Sequence, residues 1–344
     1  MKNLLALIFN DVHLRPGNEQ EIINSVRHMI NYAEEKACEN IIFAGDLFDS
    51  RAFQRQSVLL AFDTILDMFI NAGITLHMFP GNHDKTIYKS FDSFLDIYRY
   101  HPNIKFNRAV KDIVIDGISI TLLPFFSDEM IVPMIEEHKG GDVLISHFEM
   151  NGSTHLGRVS EGKAINRTML KKWKKTYLGH YHNTHEINED IIHMPSFRQS
   201  NFGEDNNKGF TALYDDLSYE VIKGVFTEFK KVLVNINDIC IKELKELIKA
   251  HKNADAVVRF EITGEESKLK ALDKSIFKDT GIDVKIKYDA KYDFDEVESP
   301  IVIQKYDEEQ VTTSFKSFCE EKGYDMKEGM KYLEEFLKQK DSNG

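Results

Sequence analysis

Cysteine is scarce in this sequence. Cys38, Cys240 and Cys319 are scattered over 344 residues, with neither a Cys-x-x-Cys metal spacing nor a disulfide framework. Any metal this chain holds is therefore held by nitrogen and oxygen. Long apolar runs are missing as well: no stretch approaches the ~18 consecutive apolar residues of a membrane span. The opening MKNLLALIFN starts like a secretion signal, but its apolar run from Leu4 to Phe9 is shorter than the roughly 7 to 15 residues such a signal uses. The expected location is the cytoplasm. Internal repeats and low-complexity segments are absent too.

Positive charge is in deficit. Lys and Arg number 44 against 56 Asp and Glu, a net charge of -12, which argues at first sight against a nucleic-acid partner. The deficit is uneven, however. From Asp289 onward 15 acidic residues face 8 basic ones, whereas between Arg158 and Lys175 seven basic residues face only Glu161. That basic run reads either as a solvated helix face or as a phosphate contact.

What is present is alternation. The length suggests two domains, at roughly one per 100 to 200 residues. Over the first 200 residues short apolar runs alternate with amphipathic stretches, the pattern of an α/β domain. The runs are LLALIF, NIIFAG, ITLHMF, DVLISH and TYLG, with helical stretches around residues 19–36 and 58–73. VKDIVIDGISITLLPF, with Asp116-Gly117 between two alternating runs, reads as a β-hairpin, so the sheet is mixed. After about residue 225 the order becomes strand, helix, strand, helix, strand, a small α/β unit of about 65 residues. An acidic linker and two short helical patterns follow.

Asp, Asn and His recur where those runs end. Asp11-Val-His13 follows the first, Gly45-Asp46-Leu-Phe-Asp49 closes the second, Gly81-Asn82-His83-Asp84 follows the third, His147 ends a fourth and Gly179-His180-Tyr181-His182 a fifth. Singly each has an ordinary reading: FPGNHDK is rich in turn formers, and GDLFD equally fits a helix cap. Together, in order, at five strand ends, they point to a site, because open α/β sheets bind ligands at the carboxyl ends of their strands. In extended chain, residues i and i+2 share a face, so Asp11 with His13, and His180 with His182, are each expected to aim at one point. Asp11, His13, Asp46, Asn82, His147, His180 and His182 suffice for two divalent ions sharing a carboxylate. Two ions about 3.5 to 4 Å apart clamp the attacking and leaving oxygens of a displacement at phosphorus.

The motifs DxH, GDxxD, GNH(D/E), an isolated His and GHxH, over residues 11 to 182, resemble the calcineurin-like metallophosphoesterase superfamily. The resemblance implies a β-sandwich flanked by helices. It assigns Asp11, His13, Asp46 and His182 to one metal and Asp46, Asn82, His147 and His180 to the other. It makes His83 the proton donor to the leaving oxygen, with Asp49 orienting it, a water activated by the ions the nucleophile, and Asp84 a loop-ordering or outer-sphere residue. The donor set suits manganese, iron or zinc, with magnesium also compatible; the resemblance favours manganese.

GDLFDSR, the basic stretch, the segment MPSFRQSNFGEDNNKGF and the later architecture resemble more narrowly the SbcD-type subunit of double-strand-break repair nucleases, in its compact phage recombination versions. That resemblance implies a nuclease domain over 1–224, a DNA-positioning cap over 225–290, an acidic linker over 291–308 and a helical pair over 309–340 that binds an SbcC-type coiled-coil ATPase. It implies a manganese-dependent 3′-to-5′ exonuclease with endonuclease ability. Arg51, Arg158, Lys163 and Arg167 are the candidate DNA contacts. A homodimer is expected through helices near 53–72 and 87–100, where Phe62, Leu66, Phe69, Phe91, Phe94, Leu95 and Tyr98 offer apolar surface, though these equally fit an ordinary core. A phosphatase or cyclic-nucleotide phosphodiesterase of the same superfamily is the competing reading. A decayed scaffold is disfavoured, since no ligand is missing.

Overall fold

The computed structural model describes residues 2–155, 158–252, 254–287 and 316. The chain divides into two units, Met1–Asp289 and Ala290–Gly344, and the described strands and helices all belong to the first. The linker expected over 291–308 and, but for Lys316, the helical pair expected over 309–340 lie outside the described residues.

Along the chain come β1 (Leu4–Phe9), α1 (Glu19–Glu35), β2 (Asn40–Ala44), α2 (Gln56–Asn71), β3 (Thr75–Phe79) and β4 (Ile104–Phe106). Then follow β5 (Lys111–Ile115), β6 (Ile118–Leu123), α3 (Asp128–Glu137), β7 (Gly141–His147), β8 (Thr154–His155) and β9 (Arg158–Val159). Next are α4 (Arg167–Leu170), β10 (Trp173–Gly179), β11 (His185–Asn188), β12 (Ile191–His193), β13 (Gly209–Tyr214) and β14 (Tyr219–Lys223). The last are β15 (Glu228–Asn235), α5 (Ile241–His251), β16 (Ala256–Thr263), α6 (Glu266–Ala271) and β17 (Asp283–Ile286).

Two mixed six-stranded sheets result, in the orders β14-β13-β1-β2-β3-β4 and β11-β12-β10-β7-β6-β5. In the first, β1 to β4 run parallel; in the second, β6, β7, β10 and β12 do. The apolar runs alternate because each central strand is covered on both faces. In β2, Ile41 and Phe43 face the helix-side core while Ile42 and Ala44 face the core between the sheets. In β7, Val143 and Ile145 face inward and Leu144 packs under α3 and α4. β1 departs from strict alternation: Leu5 and Ala6 both face the inter-sheet core, because its pairing with β13 shifts register between Leu4 and Ala6. Each such buried Leu, Ile or Phe stabilises the fold by about 1.5 to 3 kcal/mol relative to exposure. The β5–β6 turn sits at Asp116-Gly117, both at positive φ (48° and 83°), as a tight hairpin requires.

The molecule is thus a mixed α/β protein with helices outside two stacked sheets. Residues 228–286 add a parallel sheet, β15-β16-β17, with its own core of Val234, Leu244, Ile248, Val258, Phe260 and Ile262 beneath α5 and α6. Among the described residues no helix is long and apolar enough to cross a membrane.

One expected helix is absent. Residues 87–100 form only a 3-10 turn over Phe94–Tyr98, capped by Ser93 and Asp96 and pinned when Phe94 donates to the Asp84 carbonyl. The apolar residues proposed there for dimerisation are mostly core: Phe62, Leu66, Phe69, Leu95 and Tyr98 are buried and Phe94 is half-buried. Phe91 is exposed, and so are Phe53, Leu60, Ile87, Ile97 and Tyr100.

Candidate metal centre

All five polar clusters emerge at the carboxyl ends of parallel strands, where the two sheets meet. His147, at the end of β7, donates from Nδ1 to the carbonyl of Ala44, at the end of β2, at 2.9 Å. The loop after β1 pairs with the loop after β2, Val12 and His13 both donating to the Asp46 carbonyl. Asp11, His13, Asp46 and His180 all lie at positive φ (51°, 48°, 61° and 88°), an uncommon conformation for non-glycine residues and one concentrated at functional sites. This corrects the expected route to convergence. Asp11 with His13, and His180 with His182, do not share a face of extended chain. They lie past the ends of β1 and β10, and loop geometry turns them inward.

The donors gather into three groups, two of which share Asp46. Asp11, His13 and His182 each bring a ligand atom within 4.8 Å of the others, as do Asp46, His147 and His180, and His13, Asp46 and His83. Nε2 of His13 lies 3.1 Å from Nε2 of His182, which is itself 3.6 Å from Oδ1 of Asp11. On the other side, Nε2 of His147 lies 3.2 Å from Oδ2 of Asp46 and 3.2 Å from Oδ1 of Asn82, and Nδ1 of His180 is 3.0 Å from that same Asn82 oxygen. Asp11 Oδ2 accepts from Asn10 and from the His180 backbone, whereas the buried Oδ1 has no hydrogen-bond partner. A buried carboxylate oxygen so placed costs free energy unless a cation compensates it. The residues therefore fit divalent cations.

Electrostatics agree. Burial pushes the His13 and His180 imidazoles down to about 4, leaving both neutral, with a lone pair to offer, near neutral pH. Burial also depresses His147, but the Asp46 and Asp11 carboxylates outweigh it and raise His147 to about 9. Burial raises Asp46, yet His147 and His13 more than offset this and leave it well below the ordinary carboxylate range.

Asp84 welds the second and third loops. Its Oδ2 accepts from the backbone N–H of Asp46 and Gly81, both at 2.9 Å. Its Oδ1 accepts from Leu47 at 2.9 Å and Phe48 at 3.1 Å. Burial and the Asp46 carboxylate raise its pKa, and the N–H groups of Gly81 and Phe48 oppose them. Gly81 has a spatial reason to be glycine: a Cβ there would lie 2.2 Å from Asp46 Oδ1. It is not among the residues at positive φ, so the turn-former reading of FPGNHDK misjudged its role.

His83 lies beside the candidate metal ligands, its ring edge-on to His13 at 4.7 Å and its backbone N–H on Asp46 Oδ1 at 2.7 Å. Its ring does touch Asp49, but through the main chain: Nδ1 donates to the Asp49 carbonyl at 2.8 Å. The Asp49 carboxylate lies instead 3.9 Å from Arg15. Arg51 Nη2 is 2.9 Å from His83 Nε2, which with Nδ1 protonated is the accepting nitrogen. These residues line an open cleft of about 310 Å³ with Asn82, His180, His182, Ser200 and Asn201.

Of the basic residues expected at DNA, Arg51 is in this cleft, joined by Arg15, which the sequence did not single out. Lys163 pairs with Glu149, which also accepts from Tyr181. Arg167 lines a separate cavity with Lys171, Trp173 and Lys174, where β10 begins, whereas His180 follows its end. The Arg158 side chain lies outside the described residues. Lys172, Lys174 and Lys175 are occupied by the carbonyls ending α3, by Asp142 and by Asp190.

Reasoning from the sequence also missed Glu204, whose carboxylate accepts from His182 Nδ1, and Lys208, whose ammonium holds the His182 carbonyl. The segment MPSFRQSNFGEDNNKGF carries part of the resemblance, but nothing in it singles out these two side chains; only the return of the chain past β12 brings them there.

Two sheets with their flanking helices, and Asp, Asn and His gathered at one end, define a metallophosphoesterase. The family model for calcineurin-like phosphoesterases matches residues 4–219, and the chain belongs to that family. It is similar to exonuclease subunit 1 of Enterobacteria phage T4, at 28% identity over 170 residues, 48% of this chain and 49% of that protein. The chain thus matches about half the length of that relative. Among solved structures, the Pseudomonas putida nuclease MPE matches with 14% identity and a TM-score of 0.32, over 60% of this chain and 84% of the other. That likeness is too loose to place any residue.

Proposed function

We propose that this chain is a two-metal-dependent DNA nuclease, a 3′-to-5′ exonuclease with endonuclease ability, acting in the cytoplasm as the nuclease subunit of an SbcCD-type complex in recombination, repair or replication. The observation that carries the reading is the convergence of Asp11, His13, Asp46, His147, His180 and His182 into clusters of ligand atoms, with the Asn82 oxygen beside His147 and His180 and with Asp11 Oδ1 buried and without a hydrogen-bond partner. Asp11, His13, Asp46 and His182 would hold one ion and Asp46, Asn82, His147 and His180 the other, with manganese as the physiological metal. When bound, the ions lower the pKa of the attacking water and neutralise charge on the phosphate.

The chain's own residues supply the rest. The Asp49 carbonyl orients His83, so that Nε2 faces the cleft to carry the proton to the leaving oxygen. Arg51 must turn from Nε2 toward the phosphate for that step, and Arg15 offers a second cation at the rim. The acidic segment after Asp289 suits a protein partner, and we assign 309–340 to the coiled-coil ATPase. The unit 225–290 is assigned to positioning DNA, and the exposed apolar residues between Phe53 and Tyr100 to the homodimer. The name of the phage relative, an exonuclease subunit, supports both an exonuclease and a multi-chain assembly.

Degradation of linear duplex DNA in manganese, wild type against His83→Ala, tests the reading. The expected loss is about 10²- to 10⁴-fold, the usual worth of a general acid. Full cleavage by the variant would overturn the role of His83. Vigorous phosphomonoester turnover with inert DNA would replace the nuclease by a phosphatase.

A further inference from the structure

Residues 199–208 close over the imidazole that ends the Gly179-His180-Tyr181-His182 loop. Glu204 is almost fully buried there. Its Oε1 accepts from His182 Nδ1 at 2.7 Å and from Asn201 Nδ2 at 2.6 Å. Its Oε2 accepts from the Ser200 backbone at 2.9 Å. Behind the same residue, the buried Lys208 ammonium donates to the His182 carbonyl at 2.6 Å and to the Asn183 side chain at 2.7 Å. Ring and backbone of His182 are therefore held by two different charged groups of one segment.

We propose that Glu204 is a positioning residue for the ion held by Asp11, His13 and His182: its carboxylate keeps the His182 proton on Nδ1 and turns the Nε2 lone pair into the site. The geometry requires it, since a ring whose Nδ1–H donates to Glu204 has only Nε2 left to give, and that atom is the one beside His13 and Asp11. Among the described residues, His182 is the only candidate histidine ligand backed by a carboxylate. The ring of His147 is backed by the neutral Ala44 carbonyl. A charged acceptor increases the basicity of the opposite nitrogen more than a carbonyl does, so Glu204 acts on one ion position and leaves the other alone.

This inference rests on the two-metal reading, and the full-length protein tests them separately. In the metal-free protein, imidazole nitrogen NMR in slightly alkaline buffer is expected to find His182 as the Nδ1–H tautomer in wild type and Glu204→Gln, and as a mixture in Glu204→Ala. Manganese titration followed by electron paramagnetic resonance is expected to show two ions bound by wild type. In Glu204→Ala one of them is weakened about 10- to 100-fold, the usual effect of losing such a partner, and the other is unchanged. Glu204→Gln, which keeps a neutral acceptor, falls between. An unchanged tautomer together with unchanged affinities in Glu204→Ala overturns the role of Glu204. If that variant does not fold, wild-type affinity in Glu204→Gln does so. Failure of the wild type to bind two ions overturns the two-metal reading instead, while the tautomer comparison still decides Glu204.

Discussion

The rim of the sheet sandwich and the three-stranded unit over 228–286 use charge in opposite ways. At the rim Asp11, Asp46, Asp84 and His147 are almost wholly withdrawn from water, and hydrogen bonds between loops hold most of their polar atoms. In the smaller unit charge stays mostly outside: Arg259 pairs with Asp283 while both remain partly exposed, Glu261 is nearly buried but pairs with the half-exposed Lys287, and the core beneath α5 and α6 is apolar. Burying carboxylates costs free energy unless each is compensated. A region that carries that cost does something with the charge; one that avoids it is built for stability and surface.

The largest break in the comparison comes from Asp46, which is proposed to contribute to both ion positions. Asp46→Ala is expected to abolish manganese binding at both and to reduce DNA cleavage by more than the roughly 10⁴-fold upper range of a lost general acid. Titration with manganese, read alongside the nuclease assay, checks it; retention of even one tight ion would show that Asp46 is not shared.

Asp84→Asn probes the scaffold and not the chemistry. An amide at that position turns an N–H toward backbone N–H donors that now point at a carboxylate. Unfolding in denaturant is expected to show a loss of about 2 to 4 kcal/mol, from broken buried bonds to a charged acceptor. A smaller effect comes from pH. His147 is held up to about 9, so in the metal-free protein it is protonated at neutral pH and must lose that proton to bind a metal. Affinity should therefore rise with pH, by up to about tenfold per unit, and level off above that pKa, because metal binding releases the proton. Calorimetry in buffers of different ionisation enthalpy measures the release directly, and no release would contradict it. The smallest change is expected in the other region: Arg259→Ala should move stability by less than about 1 kcal/mol, the usual worth of an exposed ion pair, with thermal melting as the readout.

Much of the site was legible because its chemistry depends on residue types at strand ends, and both are visible in one dimension. The runs ending before Asp11, Asp46, Asn82, His147 and His180 are strands, and their side chains do converge. The route was not legible. Positive φ at Asp11, His13, Asp46 and His180 leaves no periodic trace, so the alternation argument reached the right neighbours by the wrong geometry. Gly81 looked like a turn residue and is a clearance for Asp46. For Phe62, Leu66 and Phe69 the sequence left partner and core equally open, because helical spacing is the same for both; here they face β1 to β3.

The order of most strands and helices, the absence of a thiolate metal motif and the candidate metal donors were determined by the sequence alone, since apolar periodicity and donor chemistry are local properties of the chain. Which atoms meet was decided only by the tertiary structure. Glu204 reaches His182, Asp84 spans two loops, the Asp49 carbonyl rather than its carboxylate holds His83, and Arg167 ends up at the far end of β10 from His180. Those contacts join positions far apart in the chain through loops of irregular backbone, and neither spacing nor composition encodes where such loops come to rest.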